Sequence, residues 1–179
     1  MELNDLIEFK KWECLNDTIM GGNSIASCKY TENGLLIEGS VIEENGGFIS
    51  CKSKSFSSPL NLSQFKGLEI KVMGYGKTIK IAISTQDSLI NFSDFFSGGI
   101  RWVSQFETSD TGFTMVKVPF SSLVPNIRAK KVFVPMTFKS SMVNQFQFLY
   151  SKFGTSGELN TNFTSGPIKI LIQSISAYK

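Results

Sequence analysis

Apolar and polar residues alternate with a period of two over much of the chain, which sends successive side chains to opposite faces of a β-sheet. The clearest run covers residues 67–74, where three aliphatic side chains alternate with polar ones between two glycines. The run at 78–84 repeats this pattern. Because the link between the two runs is short, we predict that these strands form an antiparallel hairpin.

Similar runs along the chain predict further strands at 34–39, 47–52, 102–107, 113–119, 132–136, 145–150 and 168–177. In the last of these runs the apolar phase shifts between Ile172 and Ile175, which predicts a β-bulge. A short N-terminal helix is predicted where Leu3, Leu6 and Ile7 follow one helical face, with Asn4 as its cap. No helical segments alternate with the strands, so the pattern predicts an all-β antiparallel sandwich and not a parallel α/β sheet.

The composition narrows the classes of function. The chain of 179 residues is 41% hydrophobic and 18% charged, which is typical of a packed protein, and we expect residues 1–179 to form a single domain. A net charge of +3 without a basic stripe argues against nucleic acid as a partner. The chain has no histidine, which removes the commonest general base and the most frequent transition-metal ligand. We therefore predict neither a cofactor nor a metal.

The cysteines and the N-terminus indicate a compartment. Cys14, Cys28 and Cys51 are odd in number and too far apart in sequence for a CxxC motif, so we expect reduced, partly buried thiols without a disulfide framework or zinc site. The first residues resemble neither a secretory signal nor a transit peptide, and no apolar stretch approaches the roughly 20 residues of a membrane helix. These features favour a protein of the bacterial cytoplasm.

The segment at residues 12–24 contains more turn-forming residues than packing requires. Its Asn-Asp pair can bond to nearby backbone amides, and its Gly-Gly pair permits positive φ angles or a close approach of another chain. One interpretation is a rigid turn beside the sheet, with Trp12 in the core. The other is a preorganised surface on which Asn16, Asp17 and Ser24 present polar groups beside Met20 to a partner or ligand.

Two further segments are candidates for loops of that surface. Residues 43–48 include Asn45 and Gly46, the dipeptide most typical of a tight hairpin, followed by Gly47. Residues 119–128 end at Arg128, which is either a solvated side chain or a group suited to a carboxylate or a sugar.

The residues available for catalysis are few. A carboxylate pair could be drawn from Asp94, Glu107, Asp110 and Glu158, but sequence spacing does not bring any two of them together. Thiol catalysis would have to work without histidine. We therefore predict that the chain is not an enzyme and keep paired-carboxylate catalysis only as a third hypothesis.

Taken together, these segments resemble the complex I intermediate-associated protein family of the 30-kilodalton type. That family opens with a Trp, an Asn-Asp pair and a Met-Gly-Gly-x-Ser signature, which are present here as Trp12, Asn16, Asp17, Met20, Gly21, Gly22 and Ser24. The likeness continues in order to the end of the chain, over roughly residues 9 to 178. Two positions depart from the family pattern: Ala129 follows the Arg where a Gly is usual, and Lys77 stands where an acidic residue is common.

The resemblance implies a galactose-binding-like β-sandwich of the jelly-roll type. It also implies a chaperone-like role in assembling respiratory or photosynthetic membrane complexes, in the cytoplasm of a bacterium of the cyanobacterial type. The family offers no catalytic set to carry over, so its residues enter as a surface for protein subunits of a membrane electron-transfer complex. We predict that this surface consists of Trp12, Asn16, Asp17, Met20, Gly21, Gly22, Ser24, Asn45, Gly46, Gly47 and Arg128.

Three hypotheses of function follow. The first is a non-catalytic assembly factor that binds a protein intermediate and is peripheral to a membrane only through that client. The alternative is a carbohydrate-binding module, because sandwiches of this type often bind sugars with loop groups and exposed aromatics. The enzyme hypothesis ranks third.

Overall fold

Two stacked antiparallel sheets form the body of the protein, as seen in a computed structural model that describes residues 1–87, 99–127, 130–133 and 136–179. This architecture confirms the predicted all-β sandwich. The strands are β1 (Glu13–Asn16), β2 (Ile25–Thr31), β3 (Gly34–Val41), β4 (Phe48–Lys52), β5 (Gly67–Met73), β6 (Thr78–Thr85), β7 (Arg101–Glu107), β8 (Thr114–Pro119), β9 (Val124–Ile127), β10 (Lys130–Lys131), β11 (Val143–Ser151) and β12 (Gly166–Tyr178). Short 3-10 helices are η1 (Phe9–Lys11), η2 (Asp17–Met20), η3 (Phe120–Ser122) and η4 (Ser140–Met142).

The strands divide between a seven-stranded and a five-stranded sheet. The larger has the order β1-β4-β11-β6-β7-β9-β10, and the smaller has the order β2-β3-β12-β5-β8. The strands β1 and β2 therefore lie at one edge of the sandwich, one in each sheet. The chain crosses from the larger sheet to the smaller one at the loop between them.

The core lies between the facing surfaces of the two sheets. Leu68, Ile70 and Val72 of β5 point into it and are fully buried, as the alternation predicted. From the larger sheet, Phe146 and Phe148 of β11 pack into the same core. Burying large apolar side chains from both sheets supplies the main stabilisation of a sandwich.

The predicted hairpin of residues 67–74 and 78–84 is wrong. Both strands exist, but β5 belongs to the five-stranded sheet and pairs with β12 and β8, whereas β6 pairs with β11 and β7 in the other sheet. The turn between them connects the two sheets, and Tyr75 within it has a φ of 51°, in the left-handed region. When two strands lie in opposite sheets, the aliphatic faces of both point into the core between the sheets. Neighbouring strands of one sheet do not pack their faces against each other.

The Asn-Gly hairpin expected at residues 43–48 is wrong for the same reason. Strand β3 lies in the smaller sheet and β4 in the larger, so the loop at 42–47 connects the two sheets. The dipeptide does form a turn, in which Asn45 adopts a φ of 57°.

The N-terminal helix is replaced by turns and the 3-10 helix η1. Asn4 does not cap it, because its Oδ1 accepts a hydrogen bond from the backbone N–H of Ile175 at 2.9 Å. This contact attaches the N-terminal segment to β12. Leu3 and Ile7 nevertheless enter the core, but Leu6, which was expected on the same face, is exposed because the segment is not a helix.

The remaining expectations had mixed outcomes. The β-bulge in the last strand is confirmed, since its register against β5 shifts between Ile172 and Ser174. The strand at 132–136 is wrong where the structure describes it, because residues 132, 133 and 136 lie outside strands. Strands β1, β2, β9 and β10 were not predicted.

Among the described residues, none of the helices has the length and apolarity needed to cross a membrane.

Candidate functional site

Trp12 lies in the core at the start of the signature segment. Its ring stacks on Phe148 at a centroid distance of 5.8 Å and meets the edge of Phe9 at 5.5 Å. The indole N–H donates to the backbone carbonyl of Ile7 at 2.8 Å, so its one polar group is satisfied. Trp12 therefore fixes where β1 begins.

Asp17 is the centre of the signature segment and is fully buried. Its Oδ2 accepts hydrogen bonds from the Ser24 hydroxyl at 2.6 Å, the Gly47 N–H at 2.7 Å and the Phe48 N–H at 3.3 Å. Its Oδ1 accepts one from the Ser24 N–H at 2.8 Å. A single carboxylate thus joins η2, the start of β2 and the loop that leads into β4.

The pKa of Asp17 reflects this arrangement. Burial by itself raises the pKa of the carboxyl, because it disfavours the charged form. The hydrogen bonds donated by Ser24, Gly47 and Phe48 favour the charged form and outweigh burial, so the pKa lies below its ordinary value of 3.8. Asp17 is therefore a carboxylate at neutral pH, fully occupied by donors from its own chain.

The four glycines of the two loops each have a role around this carboxylate. Gly21 and Gly47 have φ angles of 86° and 102°, which side-chain-bearing residues rarely adopt. Gly22 and Gly46 have ordinary φ angles, but a Cβ at either position would collide with the Asp17 side chain. The Gly-Gly pairs of the signature are thus explained by the space and backbone shape that a buried Asp17 requires.

Ser24 extends the network towards β3. Its hydroxyl accepts a hydrogen bond from the Ile42 N–H at 2.9 Å while it donates to Asp17. The amide of Asn16 donates to the backbone carbonyl of Ala26 at 3.2 Å, which links β1 to β2 across the sheets. These polar groups of the signature are turned inward and bond within the protein.

The apolar residues of the same segment face solvent. Ile19, Met20 and Ile25 are 64%, 73% and 68% exposed, and we call these three residues the signature surface. Ile42, whose backbone bonds to Ser24, is 38% exposed. Large apolar side chains exposed at adjoining positions of a hydrogen-bonded loop are typical of interaction sites.

The described residues of the predicted site fall into three groups by burial. Met20, Gly21 and Asn45 are exposed and Gly46 and Asn16 are half-buried, whereas the buried ones are Trp12, Asp17, Gly22, Ser24 and Gly47. Arg128 lies outside the described residues, as do Ala129 and Asp94. Ile19 and Ile25 were not among the predicted site residues; the signal for Ile19 was its place beside Met20 in an otherwise polar turn. That the predicted set binds a partner stays a prediction.

The three cysteines converge, contrary to the expectation drawn from their spacing in sequence. Cys14 and Cys51 are directly paired across β1 and β4, and Cys28 reaches them from β2 in the other sheet. All three Sγ atoms lie within 4.8 Å of one another. The Sγ of Cys28 is within bonding distance of both others, and because a sulfur forms one disulfide at a time, at most one of these two bonds exists in a molecule. Sequence spacing missed this cluster because it forms through strand pairing between sheets.

Two of the candidate carboxylates, Glu107 and Glu158, accept hydrogen bonds from neighbouring groups. Glu158 Oε2 accepts a hydrogen bond from the Ser156 N–H at 2.9 Å, and Glu107 Oε1 accepts a long one from the Asn162 side chain at 3.5 Å. Neither contact provides a feature of a catalytic pair. Among the described residues, the three cysteines are the one group of three side chains placed to hold a metal ion.

Comparison with solved structures supports the architecture. A family 11 carbohydrate-binding module from Clostridium thermocellum, solved with a β-1,3-1,4-mixed-linked tetrasaccharide, is similar with a TM-score of 0.63 at 16% identity, covering 94% of this chain and 88% of that one. The family 11 module of the cellulosomal cellulase Lic26A-Cel5E from the same organism gives a TM-score of 0.63 at 14% identity, covering 99% and 93%. At such identities the likeness establishes the jelly-roll fold alone.

Comparison with sequences identifies the family. A search of curated proteins found no match. The family model described as complex I intermediate-associated protein 30 matches residues 1–172, which is nearly the whole chain. The match includes the Asn-Asp and Met-Gly-Gly-x-Ser residues that surround the buried carboxylate of Asp17. The chain belongs to the complex I intermediate-associated protein 30 family.

Proposed function

We propose that this protein is a non-catalytic assembly factor that holds a protein intermediate of a respiratory or photosynthetic membrane complex. In this proposal it works in the cytoplasm and meets the membrane only through its client. Membership of the family supports the class of function. The observation that carries the proposal is the buried Asp17 network, which holds exposed Ile19 and Met20 in one fixed loop.

The physical advantage of this arrangement is preorganisation. A loop that is already ordered by four hydrogen bonds to one carboxylate loses little conformational freedom when a partner covers it. Covering a side chain such as Met20 or Ile25 contributes about 1.5–3 kcal/mol for each one fully buried. The signature surface therefore suits an apolar strip on a client protein, and the buried polar residues of the signature act by shaping it.

The direct test is crosslinking at Met20 in living cells. A photoreactive amino acid replaces Met20, and the crosslinked products are identified by mass spectrometry. Met115 provides the matched control, because it is an exposed methionine, 56% accessible, on β8 at an edge of the smaller sheet. We expect subunits of an NADH dehydrogenase-like or photosystem complex from position 20 and not from position 115.

Two results would contradict the proposal. One is the same set of crosslinked proteins from both positions, which would make the signature surface an ordinary part of the exterior. The other is a set from position 20 that contains no subunit of a membrane complex. A Met20→Ser variant, compared with Met115→Ser, should also lose co-purification of the client while its unfolding midpoint stays unchanged.

A second candidate function is sugar binding, supported by an open groove of about 560 Å³ on another part of the surface. Tyr75 and Lys77 of the β5–β6 turn and Glu38 of β3 line it. An exposed aromatic ring beside hydrogen-bonding groups is the combination that sugars require. Tyr75 is 47% exposed, so its ring is available for stacking.

Calorimetric titration with mixed-linked β-glucan oligosaccharides tests this candidate. Binding that is lost in Tyr75→Ala and kept in Tyr30→Ala would establish it, since Tyr30 is 49% exposed and does not line the groove. Absence of heat with the unmodified protein, together with a blank glycan array, would exclude it.

A further inference from the structure

Three cysteines from three strands meet at one edge of the sandwich. Cys14 and Cys51 face each other in the paired strands β1 and β4. Cys28 lies on β2 in the opposite sheet, with its Cα 5.6 Å from that of Cys14 and 6.3 Å from that of Cys51. These are the only cysteines in the chain, so every thiol of the protein is in this cluster.

The cluster is accessible on one side and enclosed on the other. Cys51 is fully buried and packs in the hydrophobic core, while Cys14 and Cys28 are half-buried. Cys51 is paired in register with Phe148, whose ring is stacked on Trp12, so the enclosed side is apolar and aromatic. Cys14 and Cys28 thus form the side of the cluster nearer to solvent, and Cys51 forms the side nearer to the core.

We propose that Cys14, Cys28 and Cys51 form a three-thiolate site for a soft metal ion, Cu(I). Thiolates are the ligands that Cu(I) prefers, and Cu(I) is satisfied by three of them. A metal–sulfur distance of about 2.3 Å places the sulfurs of a trigonal site about 4 Å apart. All three Sγ atoms lie within 4.8 Å of one another, and that of Cys28 is within bonding distance of the other two, so the sulfurs would have to spread to about 4 Å by rotation about the Cα–Cβ bonds to admit the ion.

A metal accounts for all three sulfurs, which a disulfide does not. Any disulfide within the cluster uses two of them and leaves the third thiol beside the bond. A metal ion is favoured because three possible ligands converge, and not because any two of them are close.

Cu(I) fits this donor set better than Zn²⁺. Structural zinc sites take four protein ligands, commonly including histidine. The chain has no histidine, and within the part of the chain that the structure describes no fourth ligating side chain joins the three cysteines. Binding of Cu(I) involves no oxidation or reduction: three S–H bonds lose their protons to solvent and three metal–sulfur bonds form.

Titration of the reduced protein with Cu(I) under anaerobic conditions tests the site. The ion is supplied as its complex with a chromophoric chelator, so that transfer to the protein is followed by loss of colour. We expect one Cu(I) per chain, and an X-ray absorption edge typical of three-coordinate copper. Because the ion would join β1 and β4 to β2, we also expect a higher thermal unfolding midpoint.

Cysteine variants decide whether all three sulfurs take part. Cys14→Ser and Cys28→Ser change half-buried positions, and Cys51→Ala avoids placing a hydroxyl in the core. Each should bind Cu(I) at least tenfold more weakly and give a two-coordinate edge. Ser27→Ala, next to Cys28 on β2, is the control that should bind as the unmodified protein does. Circular dichroism verifies that each variant is folded.

Several outcomes would overturn the proposal. They are less than one Cu(I) bound per chain, binding that any one cysteine variant leaves unchanged, a two-coordinate edge in the unmodified protein, or stoichiometric Zn²⁺ binding without Cu(I) binding. Isolation of the protein from cells with one disulfide that resists reduction would likewise replace the metal site by a structural crosslink. None of these results bears on the client crosslinked at Met20, so the two proposals are tested separately.

Discussion

The Oδ2 atom of Asp17 accepts a hydrogen bond from the backbone N–H of Gly47 at 2.7 Å, across 30 positions of sequence. This contact joins the loop after β1 to the loop before β4. Of the other donors to the carboxylate, Ser24 lies in the loop between β1 and β2, and Phe48 is the first residue of β4. The family signature therefore describes a buried hydrogen-bonded joint, and the exposed residues beside it depend on that joint for their position.

Replacing Asp17 by asparagine tests how much this joint stabilises the protein. Asp17→Asn keeps the size of the side chain but turns one acceptor oxygen into a donor that faces other donors. Leaving a buried donor without a partner costs about 1–3 kcal/mol. We expect the free energy of unfolding, measured by urea denaturation, to fall by about 2 kcal/mol or more. The exposed Asp5 gives the control, since Asp5→Asn should change it by less than about 0.5 kcal/mol.

The depressed pKa of Asp17 also predicts a dependence of stability on pH. The pKa is lower in the folded protein than its ordinary value of 3.8, so the folded state binds this proton less readily than the unfolded state does. The resulting stabilisation is complete above about pH 5 and is lost as the pH falls through the folded pKa. The difference in unfolding free energy between the unmodified protein and Asp17→Asn should therefore shrink below pH 4. A difference that stays constant down to pH 2 would contradict this assignment.

The collision predicted at Gly46 can be measured by a double-mutant cycle. Gly46→Ala should destabilise the protein by about 1–3 kcal/mol, because its Cβ would overlap the Asp17 carboxylate in a packed interior. In an Asp17→Ala background the carboxylate is gone, and the same change should cost much less. Urea denaturation of the four proteins gives the coupling energy. A coupling near zero would mean that the glycine is required for another reason.

Alternation predicted the strands well but not their neighbours. The residues of β5 and β6 carry a clear period of two, and this period determines which side chains face the core. It contains no information about which sheet a strand joins, so two strands with a short link were expected to pair and instead belong to different sheets. Strand β2 was missed because its half-buried edge position mixes small, polar and apolar residues.

The candidate site shows the same division between local and long-range information. The turn-forming character of the Asn-Asp and Gly-Gly pairs was readable, because it depends on residues close in sequence. The hydrogen bond between Asp17 and Gly47 could not be predicted from the sequence, and neither could the convergence of Cys14, Cys28 and Cys51. Both contacts depend on how the two sheets stack, and the residues at these positions contain no local pattern that predicts the stacking.

The buried amine of Lys80 predicts a second pH dependence, at the basic end. Burial lowers the pKa of Lys80 to about 8, although attraction to Glu158 opposes the shift. The Nζ atom donates to the backbone carbonyl of Phe153 at 2.6 Å and, at 3.3 Å, to the hydroxyl of Ser151. The amine lies on β6 beneath the segment after β11, where its charge is poorly solvated.

The sign of the effect follows from the direction of the shift. Between pH 8 and the ordinary value of 10.5 the unfolded chain keeps a proton that the folded protein has lost, so folding becomes more favourable as the pH rises through this range. At about 1.4 kcal/mol for each pKa unit the gain is at most about 3.5 kcal/mol. Lys80→Met removes the titrating group and should not show this gain. Urea denaturation of both proteins from pH 7 to pH 10.5 measures the difference, which cancels the titration of the other lysines and tyrosines. If the two stabilities keep a constant separation over that range, the amine is solvated and charged in the folded protein.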